Sequence, residues 1–154
     1  MPRCWRTVTR TRRGNSRRPS PRRGHRTGLF LEASLLAHFA RARLSSRDDA
    51  GARSAASEAV DVARRQGARV FEVLALLVRG RAFGDPADLR AALALAGELG
   101  ATAYVPFCLE ELARLDGDRE AMAGAARCFA AVGASGHVRR LEVELAEASR
   151  RSRA

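Results

Sequence analysis

The sequence predicts an all-α domain on three observations. Apolar residues make up 46% and aromatics only 5%, with β-branched residues scattered singly from position 29 onward, which favours helix over strand. From position 29 onward, Ala- and Leu-rich stretches of about 12 to 17 residues alternate with short Gly, Asp or Ser breaks, the punctuation of helical hairpins. Finally, Gly67, Gly100 and Gly133 each open a Gly-Ala pair and stand 33 positions apart. A fixed period marks a repeated unit, so antiparallel hairpins stacked about three and a half times are expected.

The helices are expected at 29 to 44, 50 to 66, 70 to 83, 86 to 99, 105 to 115, 119 to 132 and 136 to 150. Asp85 followed by Pro86 has the form of an acidic N-cap with a first-turn proline. Asp118 is read as the cap of the helix beginning at Arg119, which makes Asp116-Gly117-Asp118 a turn. Gly67, Gly100 and Gly133 close the helices before them as left-handed residues. Units 69 to 101 and 102 to 134 align without a gap. The first unit carries about five extra residues, assigned to the turn SSRDD.

The net charge of +11 divides unevenly. Residues 1 to 28 hold ten arginines and no acidic residue, whereas 29 to 154 hold 18 arginines against 17 acids, leaving the repeat region nearly neutral. The basic pI therefore describes an arm rather than the domain surface. That arm is rich in Arg, Ser, Pro and Gly and lacks periodicity, so disorder is expected there. Three readings of it stay open: an electrostatic arm for nucleic acid or acidic surfaces, with Trp5 for stacking, a transit-like peptide, or translated sequence upstream of the true start. All 28 basic residues are arginine, which points to coding bias in a high-GC genome. Cys4, Cys108 and Cys128 show no close pairing, so neither a disulfide framework nor a metal knuckle is indicated, and a reducing cytoplasm is expected. No apolar run approaches the ~20 residues needed to span a bilayer.

The period and the helix-turn-helix unit resemble the tetratricopeptide repeat family, whose paired helices cross at small side chains. The resemblance implies a short right-handed solenoid. It puts the crossing positions on Ala42, Gly80, Ala113 and Ala146 in the first helices and on Ala59, Ala92 and Ala125 in the second. Phe129 keeps the family's second-helix aromatic, which Ala63 and Ala96 replace, and Gly-Ala stands where the unit-ending proline would be. Phrases such as YVPFCLEELARLDGD and FAAVGASGHVRRLEVELAE are similar to C-terminal helical regions of two groups of bacterial signalling proteins. One comprises class III adenylate and guanylate cyclases joined to an ATPase, the other LuxR-type ATP-dependent regulators. The resemblance implies a non-catalytic interaction or regulatory module, the C-terminal part of a larger signal-transduction protein. The bare apolar corner Leu29, Phe30 and Leu31 suggests that something covers the first helix, and the polar last helix suggests a C-terminal cap, which favours the cyclase-like architecture.

Catalytic chemistry is not in evidence. His38 and His137 stand near opposite ends of the repeat region, so no Ser or Cys has an ordered base to form a triad. Cys108 and Cys128 read as buried thiols, and the Asp116 turn lacks the ligands of a calcium loop. No cofactor or metal is expected. Glu110 and Glu111 point to different helical faces and read as solvated. One polar column recurs: Arg43, Arg81 and Arg114 each come directly after the small crossing residue, with Glu147 in the fourth place. In the family that column faces the concave groove, so Arg43, Arg81, Arg114, Leu77 and Glu110 are the candidate peptide-groove residues. A protein or peptide partner, acidic by this logic, or an adjoining domain, is expected, with nucleic acid confined to residues 1 to 28 and no membrane.

Overall fold

In the computed structural model residues 30–151 are described; the Arg-rich arm, 1 to 28, and Leu29 lie outside them. The described residues form seven α-helices and no strand: α1 Phe30–Ser45, α2 Asp49–Gln66, α3 Arg69–Phe83, α4 Pro86–Leu99, α5 Val105–Asp116, α6 Arg119–Ala131 and α7 Ser135–Arg151. A 3-10 turn, Thr102–Tyr104, leads into α5. Every expected helix is present, with ends displaced by a residue at most. No helix among the described residues is long and apolar enough to cross a membrane.

The helix ends repeat one chemistry. A backbone N–H two residues past the helix (three past α6) reaches back five residues to a carbonyl, as in Ala68 to Ala63, Asp85 to Gly80, Ala101 to Ala96, Asp118 to Ala113 and Ala134 to Phe129, at 2.8 to 3.0 Å. This Schellman closure needs a left-handed residue one position earlier, and Gly67, Gly84, Gly100, Gly117 and Gly133 supply it. Asp48, Asp85 and Asp118 then cap α2, α4 and α6 by accepting from first-turn backbone N–H groups. Each hairpin is thus closed by Gly-Asp and each joint between hairpins by Gly-Ala, except that Arg47 takes the left-handed place before Asp48 at φ 60°.

Consecutive helices pack side by side, and α1 touches α3 and α3 touches α5. The main core runs from Ala37 and Ala40 of α1 through Ala55, Ala56, Ala59 and Val60 of α2 to Val73, Leu76, Leu89, Leu95 and Cys108. A second core forms where Phe129 and Leu141, both fully buried, meet Ala125 and Ala126. Alanine dominates because helices packed through Ala approach closely enough for backbone surfaces to exclude water.

The small residues of the predicted seam are not all buried. Ala59, Ala92 and Ala125 are fully buried, Ala113 is nearly so, and Gly80 is buried. At Gly80 the approach is close: an added Cβ would stand 2.7 Å from Leu89 Cγ and 3.1 Å from the Asp85 carbonyl. Ala42 and Ala146 are exposed instead. For Ala146 the reason is that no helix comes after α7 among the described residues. For Ala42 it is a register error of one residue. The Asp48 N–H bonds to the Arg43 carbonyl, the place that Gly80 and Ala113 hold in the next units. The extra residues of the first unit therefore lie within α2, 18 residues long against 14 in α4, as one additional helical turn rather than in the SSRDD turn.

Candidate functional site

The first helix of each pair contributes to one groove of about 510 Å³. Its walls come from Arg41 on α1, Leu74, Leu77, Val78 and Arg81 on α3, Phe107, Glu110, Glu111 and Arg114 on α5, and His137, Arg140 and Glu144 on α7. These positions recur at the sequence period. Leu74, Phe107 and Arg140 stand 33 apart, as do Val78, Glu111 and Glu144, and so do Arg81 and Arg114. Successive units thus present the same helical face to a common space, apolar towards α3 and charged towards α7.

The charged end is a closed ring. Glu110, 4% exposed, accepts from Arg114 at 2.9 Å and from Arg140 at 2.8 Å. Both arginines also donate to Glu144, at 2.7 and 3.1 Å. Burial alone would raise the Glu110 carboxyl, but the hydrogen bonds from Arg140 and Arg114 outweigh it and hold it below its usual range. Glu111 lies half-buried one position on, with Arg81 at 3.6 Å. There burial dominates and pushes the carboxyl up. Neither glutamate is the solvated residue that the sequence suggested: α7 brings Arg140 onto Glu110, and α3 brings Arg81 beside Glu111. Beneath the ring, His137 stacks on Phe129 with centroids 4.7 Å apart, and Phe107 meets both rings edge-on. The Arg140 guanidinium stands 3.2 Å from His137 Nδ1.

The arginine column is rearranged by this geometry. Arg43 does not reach the groove: it pairs with Asp48 and covers Phe39 at 4.4 Å. Leu44 occupies the place equivalent to Arg81, a consequence of the register shift in α1. Arg114 lines the groove but is committed to Glu110 and Glu144. Arg81 is 55% exposed with only the longer contact to Glu111. Leu77 and Glu110 lie in the groove as expected. Sequence reasoning misses Arg41, Leu74, Val78, Phe107, Glu111, His137, Arg140 and Glu144 as groove residues. The signal that could have found most of them is the 33-residue spacing itself, which the columns beside the arginine one also carry.

Among the described residues no group of three or more His, Cys, Asp or Glu is placed to hold a metal. The Cys108 thiol is fully buried, and burial pushes it up to about 12, far from the thiolate form that nucleophilic chemistry needs. No family model, curated protein or solved structure matches the chain.

Proposed function

We propose that this chain is a non-catalytic interaction module, a tetratricopeptide-like solenoid of about three and a half hairpins whose groove captures an acidic, partly apolar peptide segment. The observation that carries the reading is the recurrence of groove-facing positions at the sequence period on α3, α5 and α7. Leu74, Leu77, Val78 and Phe107 offer apolar contact. The carboxylates of the ring are answered by Arg114 and Arg140, leaving Arg41 and Arg81 as the cations least neutralised within the groove. A peptide carboxylate placed between them gains charge-assisted hydrogen bonds while its apolar neighbours cover the floor. The origin of the module in a larger cyclase or ATPase signalling protein rests on the sequence resemblance alone.

The test is fluorescence anisotropy with a labelled peptide of alternating Leu and Glu, on the intact chain. Replacing Arg41 and Arg81 together by Glu is expected to weaken binding by about tenfold or more. Unchanged affinity refutes the groove. If removal of residues 1 to 28 then abolishes binding, with a steep salt slope, the arm is the acidic-ligand site, and its ten arginines favour nucleic acid as the natural partner.

A further inference from the structure

Glu111 is the acid of the groove whose charge is least answered. Its side chain is only 16% exposed, and its ion pair with Arg81, at 3.6 Å, is longer than a hydrogen bond. On α3 the same place is held by Val78, buried and apolar. On α7 it is held by Glu144, which accepts from both Arg114 and Arg140. The charges acting on Glu111 come from three helices: Arg81 on α3, Glu110 and Arg114 on α5 itself, and Arg140 on α7. His137 and Glu144 of α7 and Arg41 of α1 line the same space. Because Arg114 and Arg140 are held by Glu110 and Glu144, Arg81 is the cation left for Glu111.

We infer that capture of an acidic ligand in this groove is coupled to proton uptake by Glu111. An anion drawn between Arg41 and Arg81 takes Arg81 from Glu111, and the carboxylate left behind, largely covered and next to Glu110, binds a proton from water at one Oε. The inference rests on the groove reading proposed above and adds to it a dependence on pH. Burial already pushes the Glu111 carboxyl above its usual value of 4.5, and Arg81 is the first of the charges that oppose the rise. With Arg81 withdrawn, the carboxyl moves higher still. A group that titrates higher in the occupied groove than in the empty one takes up a proton on binding. Affinity therefore increases as pH falls through the occupied value and levels off below the empty one, which itself lies above 4.5. Withdrawing an opposite charge at this range moves a carboxyl by about one unit or more, so capture should tighten about threefold or more from about pH 7.5 to about pH 5.

The probe is a labelled peptide of alternating Leu and cysteic acid, whose sulfonates stay ionised over that range, with anisotropy read on the intact chain. Glu111→Gln is expected to bind about threefold or more tightly than the parent at about pH 7.5 and to match it at about pH 5. Contributions from His137 and from the arginine arm persist in Glu111→Gln, so the difference between the two proteins isolates Glu111. In an Arg81→Gln background, where no guanidinium is shared, the same replacement should leave affinity unchanged. Binding indifferent to replacing Arg41 and Arg81 together by Glu overturns the groove reading, and the coupling with it. Binding that needs those arginines but changes with pH equally in the parent and in Glu111→Gln overturns the coupling alone. So does equal tightening by Glu111→Gln with and without Arg81, which would mean plain repulsion of the ligand by Glu111.

Discussion

Glu110 and Glu111 are adjacent in sequence, yet their replacement by glutamine is expected to shift stability in opposite directions. The Glu110 side chain is 6% exposed and accepts from two arginines that are 36% and 39% exposed. Removing one member of a fully buried ion pair costs roughly 3–5 kcal/mol. Here both guanidinium groups keep contact with water and with Glu144, so about half of that, about 2 kcal/mol, is expected. In urea unfolding followed by circular dichroism this lowers the midpoint by about 1 M. Glu111 sits where burial disfavours its charge and Arg81 is 3.6 Å away, so Glu111→Gln should leave stability unchanged or raise it by under about 1 kcal/mol. Acid separates the two further. Because the folded Glu110 titrates below the unfolded value of 4.5, its stabilisation is complete above 4.5 and is lost as pH falls through the folded value. The deficit of Glu110→Gln should therefore close in acid. The folded Glu111 titrates above 4.5, so it binds its proton first and its cost disappears as pH falls towards 4.5. A Glu110→Gln protein within about 0.5 kcal/mol of the parent at pH 7, or one whose deficit persists undiminished at pH 2, would refute this account of the ring.

The seam, the first turn and the buried thiol each give a further expected outcome. Gly80→Ala should destabilise by about 1–2 kcal/mol despite alanine's better helix propensity, because the new Cβ meets Leu89 and the Asp85 carbonyl. In a Leu89→Ala background the same change should cost less, since only the Asp85 carbonyl contact remains, a non-additivity readable in a double-mutant cycle of urea midpoints. Arg47→Gly should stabilise by up to about 1 kcal/mol, since φ 60° is strained for arginine and open to glycine, and no rise in melting temperature would contradict it. Cys108 should resist iodoacetamide at pH 8 in the folded chain and react once urea unfolds it; peptide mass spectrometry shows which, and rapid native labelling would place the thiol at the surface.

Helix existence and helix ends were legible because they are local. A Gly-Asp or Gly-Ala pair carries both the left-handed residue and the start of the next helix, so Asp85, Asp118, Gly67, Gly100 and Gly133 could be read without knowledge of packing. The first hairpin misled because Arg47 stands where the repeat has glycine. Without that marker, extra length inside α2 looks the same in sequence as extra length in the turn, and the one-residue error carried Ala42 and Arg43 with it. The groove was legible as a set of positions and illegible as electrostatics. Period 33 says which side chains share a face, but the partner of each charge is set by reach across helices. Arg114 could meet Glu110 one turn back on its own helix or Glu144 on α7, and it meets both.

That commitment decides which arginines can report on binding. Arg114→Glu would set a carboxylate against Glu110 and Glu144 and leave Arg140 as their only cation in the ring. Its loss of binding would be inseparable from loosening of α7 against α5. Arg41 has no such entanglement: its residue is exposed and it lies at the opposite, apolar end of the groove. A charge reversal there changes the potential felt by a ligand without unpairing a buried acid. If the groove binds through charge, Arg41→Glu should weaken capture with the urea midpoint unmoved, whereas Arg114→Glu should lower both together. Parallel loss of stability and affinity at Arg41 would mean that the groove is built for holding helices together and that its cations are structural throughout.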